Sequence, residues 1–73
     1  MEYTLDQILS LSNEELFSWK GSLVKITKSN GNRIIGRINK FGLAANPPYL
    51  VCSIILSDNQ NIHLNAIQKL KFL

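Results

Sequence analysis

Lys25, Arg33 and Arg37 are the residues whose types and spacing best suit chemistry, and that chemistry is electrostatic. Lys25 lies in the alternating stretch Leu23–Thr27, and Arg33 and Arg37 lie in the stretch that returns after a turn. On two paired strands all three would project from one sheet face. Lys28 at the turn and Lys40 at the far strand end extend the patch. Such a stripe neutralises phosphates along a polyanion backbone. The plainer reading is a solvated face that keeps a small β protein soluble and blunts its edges.

Single strands are also held by base–aromatic stacking. Tyr49, which follows Pro47-Pro48, is a candidate at the rim, and Phe41 is a second candidate that better suits a core position closing a barrel end. His63 stands between Ile62 and Leu64, so alternation points it outward, and no Ser, Cys or carboxylate is spaced to serve as its partner. Cys52 lies within an apolar run and reads as a small buried hydrophobe. With no paired carboxylates, metal-ligand spacing, phosphate loop or nucleophile–base pair, the chain reads as a non-enzyme with no cofactor and no metal.

Charge along the chain is unevenly divided. Glu2, Asp6, Glu14 and Glu15 all precede Lys20, and every basic residue lies from Lys20 onward, opposed only by Asp58. The whole chain is +3, whereas eight basic residues against one acidic leave the part from Lys20 onward at +7. An acidic lead-in to a basic body is one electrostatic footprint of a nucleic-acid binder. At 73 residues the chain is a single domain, 1–73, with a helical lead-in over 4–20 and a β body over 22–73. A domain this size buries only about 60% of its unfolded surface, and the lone Cys52 excludes an internal disulfide. Burial against a second copy is therefore an option. The acidic opening Met1-Glu2-Tyr3 lacks the basic n-region of a secretory leader. The longest apolar run, Tyr49 to Leu56, is interrupted by Ser53 and falls short of the roughly 18–20 residues of a membrane span. A cytoplasmic protein with no membrane contact is the expectation.

Two helix starts and a series of short strands must position these residues. Thr4-Leu5-Asp6-Gln7 and Ser12-Asn13-Glu14-Glu15 have capping-box form, each flanked by a hydrophobic staple pair, Tyr3 with Ile8 and Leu11 with Leu16. They predict short helices near 5–10 and 13–19, the second ended by Gly21. From Leu23 the period switches to two. Ser29-Asn30-Gly31-Asn32 is the strongest turn signal. Arg33 to Phe41 is the returning strand, with Ile34, Gly36 and Ile38 inward and Gly36 marking a bend. The proline-bearing connector 42–48 leads to a third strand, Tyr49 to Leu56, apolar on nearly both faces, which calls for the helices or a neighbouring subunit to cover the second face. A fourth strand at 61–64, a 3₁₀ turn at 65–67 and a last strand at 68–72 follow. The last strand turns Leu70 and Phe72 inward and Lys69 and Lys71 outward. The expected fold is mainly β: a small five-stranded antiparallel barrel, partly open, with one or two short N-terminal helices.

This layout resembles the small barrels of the Sm-like and SH3-like group, and most nearly the Hfq-like branch. The resemblance rests on Asn30-Gly31, the bending Gly36, Phe41, the strand Ile62 to Leu64, the Ala66-Ile67 turn and the closing Leu70 to Phe72. It spans roughly 20–73 and implies an RNA-binding regulator that assembles as an oligomer. The chain departs from that pattern at Gly42, where the family has an aspartate. It departs again at Leu64-Asn65, where the family has an RNA-contacting Lys-His couple, and the Sm-type Arg-Gly is absent. The ring-type RNA site therefore does not carry over. A second similarity, to the barrel of WYL regulatory domains, rests on Pro48-Tyr49-Leu50-Val51 and Leu64 to Ile67. The expectation is a nucleic-acid-associated binding module, contacting RNA or single-stranded DNA through the basic face. The alternative is a protein-interaction or assembly module that uses the apolar strand, an open edge or the Pro47-Pro48-Tyr49 rim.

Overall fold

A computed structural model describes residues 1–73. In chain order the elements are β1 (Glu2–Thr4), α1 (Leu5–Leu9), α2 (Asn13–Phe17), β2 (Leu23–Lys28), β3 (Arg33–Leu43), β4 (Val51–Leu56), β5 (Asn61–His63), a 3₁₀ turn (Leu64–Ala66) and β6 (Ile67–Phe72). The strands form one antiparallel sheet in the order β1-β6-β2-β3-β4-β5. One expectation is corrected here: there are six strands, not five. The sheet is not closed, because β1 and β5 are its two edges and do not pair. The strand that sequence reasoning missed is β1. Three residues carry no readable period, and β1 exists because β6 offers it an edge: Glu2, Tyr3 and Thr4 stand opposite Lys71, Leu70 and Lys69.

Both helices start where their caps direct. Thr4 and Ser12 each accept from the backbone N–H of the third helical residue, and Gln7 and Glu15 reach back to the cap backbone. Each helix is only five residues long. Beyond Phe17 the chain tightens, with Trp19 and Lys20 donating to the carbonyls of Leu16 and Phe17. Gly21 at φ +89° then turns it into β2. Helices this short hold only by docking, and Ile8 and Leu16 are buried in the same cluster as the inward residues of the strands.

Strict alternation fails three times, always by one residue. Ile38 opposes Leu56 but Lys40 opposes Ile55, so Asn39 is extra on β3. Gly42 opposes Ser53 but Leu43 opposes Val51, so Cys52 is extra on β4. Thr27 opposes Lys69 but Lys28 opposes Ile67, so Gln68 is extra on β6. Each bulge resets which side chains face inward. Ile38 hands over to Phe41, Val51 to Ile54 and Leu56, and Ile67 to Leu70. The two apolar faces expected of the third strand are thus one inward face with its phase shifted. Cys52, expected in the core, is exposed because it is the bulged residue.

Just before the reset at Asn39, β3 changes partners. Its residues to Arg37 pair with β2, and those from Ile38 pair with β4. Gly36 lies at this bend. A Cβ there would stand 2.9 Å from Cδ1 of Leu56, which is fully buried. At one end of the sheet Trp19 packs against Tyr3 and Phe72, with ring centroids 4.9 and 5.1 Å away, which ties α2 to both terminal strands.

The β2–β3 turn closes with Lys28 N–H donating to Asn32 and Gly31 N–H donating to Lys28, and Gly31 takes φ +89°. The β4–β5 turn is held by Asp58, whose carboxylate accepts from the Gln60 side-chain amide at 2.6 Å and the Gln60 backbone N–H at 3.2 Å. These two bonds, the side-chain one first, hold the Asp58 carboxyl below its ordinary 3.8. A depressed folded pKa means the turn is fully held above the unfolded value and released as pH falls through the folded one, a window below 3.8.

Two outcomes are expected. Gly36→Ala should destabilise the fold by about 1–3 kcal/mol through overpacking at Leu56, read as a lower denaturation midpoint; an unchanged midpoint would refute the close-approach argument. Gln60→Ala should move the Asp58 midpoint upward in an NMR carboxyl titration, and a fixed midpoint would show that Gln60 is not its partner.

Candidate nucleic-acid interface

Alternation on β2, β3 and β6 carries the basic residues to the outer sheet face while Val24, Ile26, Ile38 and Leu70 fill the interior. Two cross-strand rows define that face. One runs Glu2, Lys71, Lys25, Ile35 across β1, β6, β2 and β3; the other runs Thr4, Lys69, Thr27, Arg33. Lys25, Arg33, Lys69 and Lys71 line one shallow depression with Thr27 and Gln68, and Glu2 is its only carboxylate. Lys25 and Lys71 stand directly opposite each other, an arrangement that costs stability when nothing negative lies between. Glu2 stands opposite Lys71 on its other side. Ile35, 63% exposed, sits between Arg33 and Arg37 on the same face.

The residues expected at the site divide into groups. Lys25 and Arg33 share the depression. Arg37 lies at the end of the β2–β3 pairing, and its Nη1 donates to the Gly21 carbonyl at 2.7 Å, so the guanidinium braces the entry to β2. Lys28, half-buried, lies beyond the bulge opposite Ile67 and outside the depression. Lys40 lies on the far half of β3, beside Phe17, Lys20, Phe41 and Leu43. Phe41 is half-buried, packed on the core and on the Phe17 ring at 5.5 Å. Tyr49 is 51% exposed but belongs to the connector near α2, not to the basic face. Neither aromatic therefore borders the lysine rows.

Lys69 and Lys71 complete the face and were not grouped with it by sequence reasoning. Their outward direction was legible from alternation with Leu70 and Phe72. The missing step was pairing, since only the contact of β6 with β2 sets them beside Lys25.

The connector is set by Asn13. Its amide donates to the Tyr49 carbonyl at 2.9 Å and accepts from the Val51 N–H at 3.0 Å, clamping the chain on both sides of Leu50. Tyr49 takes φ +51°, a conformation that a bulky residue adopts only when its surroundings impose it. His63 and Cys52 are both exposed and share a depression with Leu9, Val51, Leu64 and Asn65. The Cys52 thiol donates to the Gly42 carbonyl at 3.4 Å. No group of three or more His, Cys, Asp or Glu side chains is arranged to hold a metal ion. No helix is long and apolar enough to cross a membrane. No known family model, curated protein or solved structure matches the chain.

Asn13→Ala should speed hydrogen exchange at the Val51 amide and cost about 1–3 kcal/mol, the range for stranding part-buried hydrogen-bond partners. Unchanged exchange would mean that the connector holds its shape without the clamp.

Proposed function

We propose that the chain is a non-enzymatic binding module whose outer sheet face takes the phosphate backbone of RNA or single-stranded DNA. The observation that carries this reading is the Lys25–Lys71 cross-strand pair, flanked by Lys69 and Arg33. Like charges held face to face serve no purpose for the fold, and a phosphate between them turns repulsion into attraction. The bare Ile35 adds an apolar surface for a sugar or base edge. With Tyr49 and Phe41 away from the face, the contacts are to the backbone, so binding is weakly selective for sequence and strongly salt-dependent. We read the sheet as a partly open small barrel of the Sm/SH3-like kind, a reading supported by the bent β3 that serves two partners.

The test is titration of labelled single-stranded RNA and DNA at several salt concentrations. Affinity should fall steeply with salt. Lys25→Glu combined with Lys71→Glu should lower affinity at least tenfold and flatten the log–log salt slope by roughly 1.4, about 0.7 per lost phosphate contact on a single strand. Lys28→Gln should leave binding unchanged. Equal binding by the wild type and the double variant would sink the proposal.

A further inference from the structure

A second surface combines charge with exposed apolar area, and it lies apart from the lysine rows. Phe17, Phe41 and Leu43 form an apolar groove with Lys20 and Lys40 beside them, and no carboxylate lines it. Phe17 and Leu43 remain 43% and 47% exposed, although the Phe17 and Phe41 rings touch at 5.5 Å. The backbone beside the groove is also unserved. β2 accompanies β3 only to Arg37, and Gly21 and Ser22 complete that side at Ile38 with bonds of 2.8 and 2.9 Å. From Asn39 onward β3 has β4 on one side and no strand on the other.

We propose that this groove docks a segment of a partner protein in extended form, an acidic peptide with apolar side chains at alternate positions, laid along Lys40–Leu43. Each part of the site selects one part of that ligand. An open strand edge offers main-chain hydrogen bonds to an extended chain, and pockets at alternate positions supply side-chain preference. Phe17, Phe41 and Leu43 take the apolar side chains. Lys20 and Lys40, with no acidic neighbour in the groove, attract carboxylates and disfavour a basic segment. The proposal is independent of nucleic-acid binding, because the two surfaces share no lining residue.

The probe is a dye-labelled Glu-Asp-Leu-Glu-Phe-Asp-Glu peptide, followed by fluorescence anisotropy, with a control in which serine replaces its leucine and phenylalanine. Saturable binding of the first peptide and roughly tenfold weaker binding of the control are expected, as for loss of buried anchors. Leu43→Asp and Lys40→Glu, both at exposed positions, should each weaken the first peptide by a similar factor while thermal melts stay within a few degrees of wild type. The Lys25→Glu/Lys71→Glu protein should bind it as wild type does. The proposal is overturned if the serine control binds equally, if the loss follows the basic-face variant instead, or if millimolar protein gives no saturation. It is also overturned if light scattering finds a dimer that Leu43→Asp dissolves, since the groove would then belong to a second copy.

Discussion

A short, strongly bent sheet can keep one apolar interior only if its alternation is reset wherever it curves. The extra residues Asn39, Cys52 and Gln68 do this. Each lets the strand on either side of it present the same face to Ile8, Leu16 and the rest of the core. Without the reset at Cys52, Val51 and Ile54 could not both be buried by one interior. Gly36 lies at the bend, where an added Cβ would press on the buried Leu56 side chain. Core, strand order and the outward display of charge all follow from these few backbone decisions.

The surface shows how such a fold divides its charge. Inward positions are consumed by a core that a chain of 73 residues can barely supply, so outward positions on β2, β3 and β6 carry seven of the eight basic residues. Antiparallel pairing then concentrates lysines that are far apart in sequence, Lys25 with Lys69 and Lys71, on one small area. The far half of β3 turns away from that area after Ile38, taking Lys40 with it. One bent strand thereby serves two surfaces of different composition, a polar basic one and an apolar one with lysines beside it.

Much of this was legible in the residues. The two capping boxes, the Asn30-Gly31 turn, the bend at Gly36 and the inward set Ile34, Ile38 and Leu70 depend on local chemistry, and local chemistry is written in short windows. What escaped depends on contacts made across the chain. β1 is too short for periodicity and exists only because β6 receives it. The bulge at Cys52 shifts the phase of the inward face, so that in sequence β4 looks like a strand that is apolar on both sides. Of the basic residues, Lys25 and Arg33 were grouped correctly as neighbours because a tight hairpin joins them. Lys28 and Lys40 were grouped with them by proximity in sequence, which bulges and bends do not respect.

The pairing of β1 with β6 brings the ends of the described chain together, with the Phe72 N–H donating to the Met1 carbonyl at 2.9 Å. The sheet is open, yet the path of the backbone is almost a circle. Which peptide bond is left unmade is then nearly arbitrary for the topology. A linker joining the ends, with a new opening in the exposed segment 44–48, would preserve every strand neighbour. The same geometry places both ends beside Glu2 and Lys71, so whatever is fused to either end borders the lysine rows.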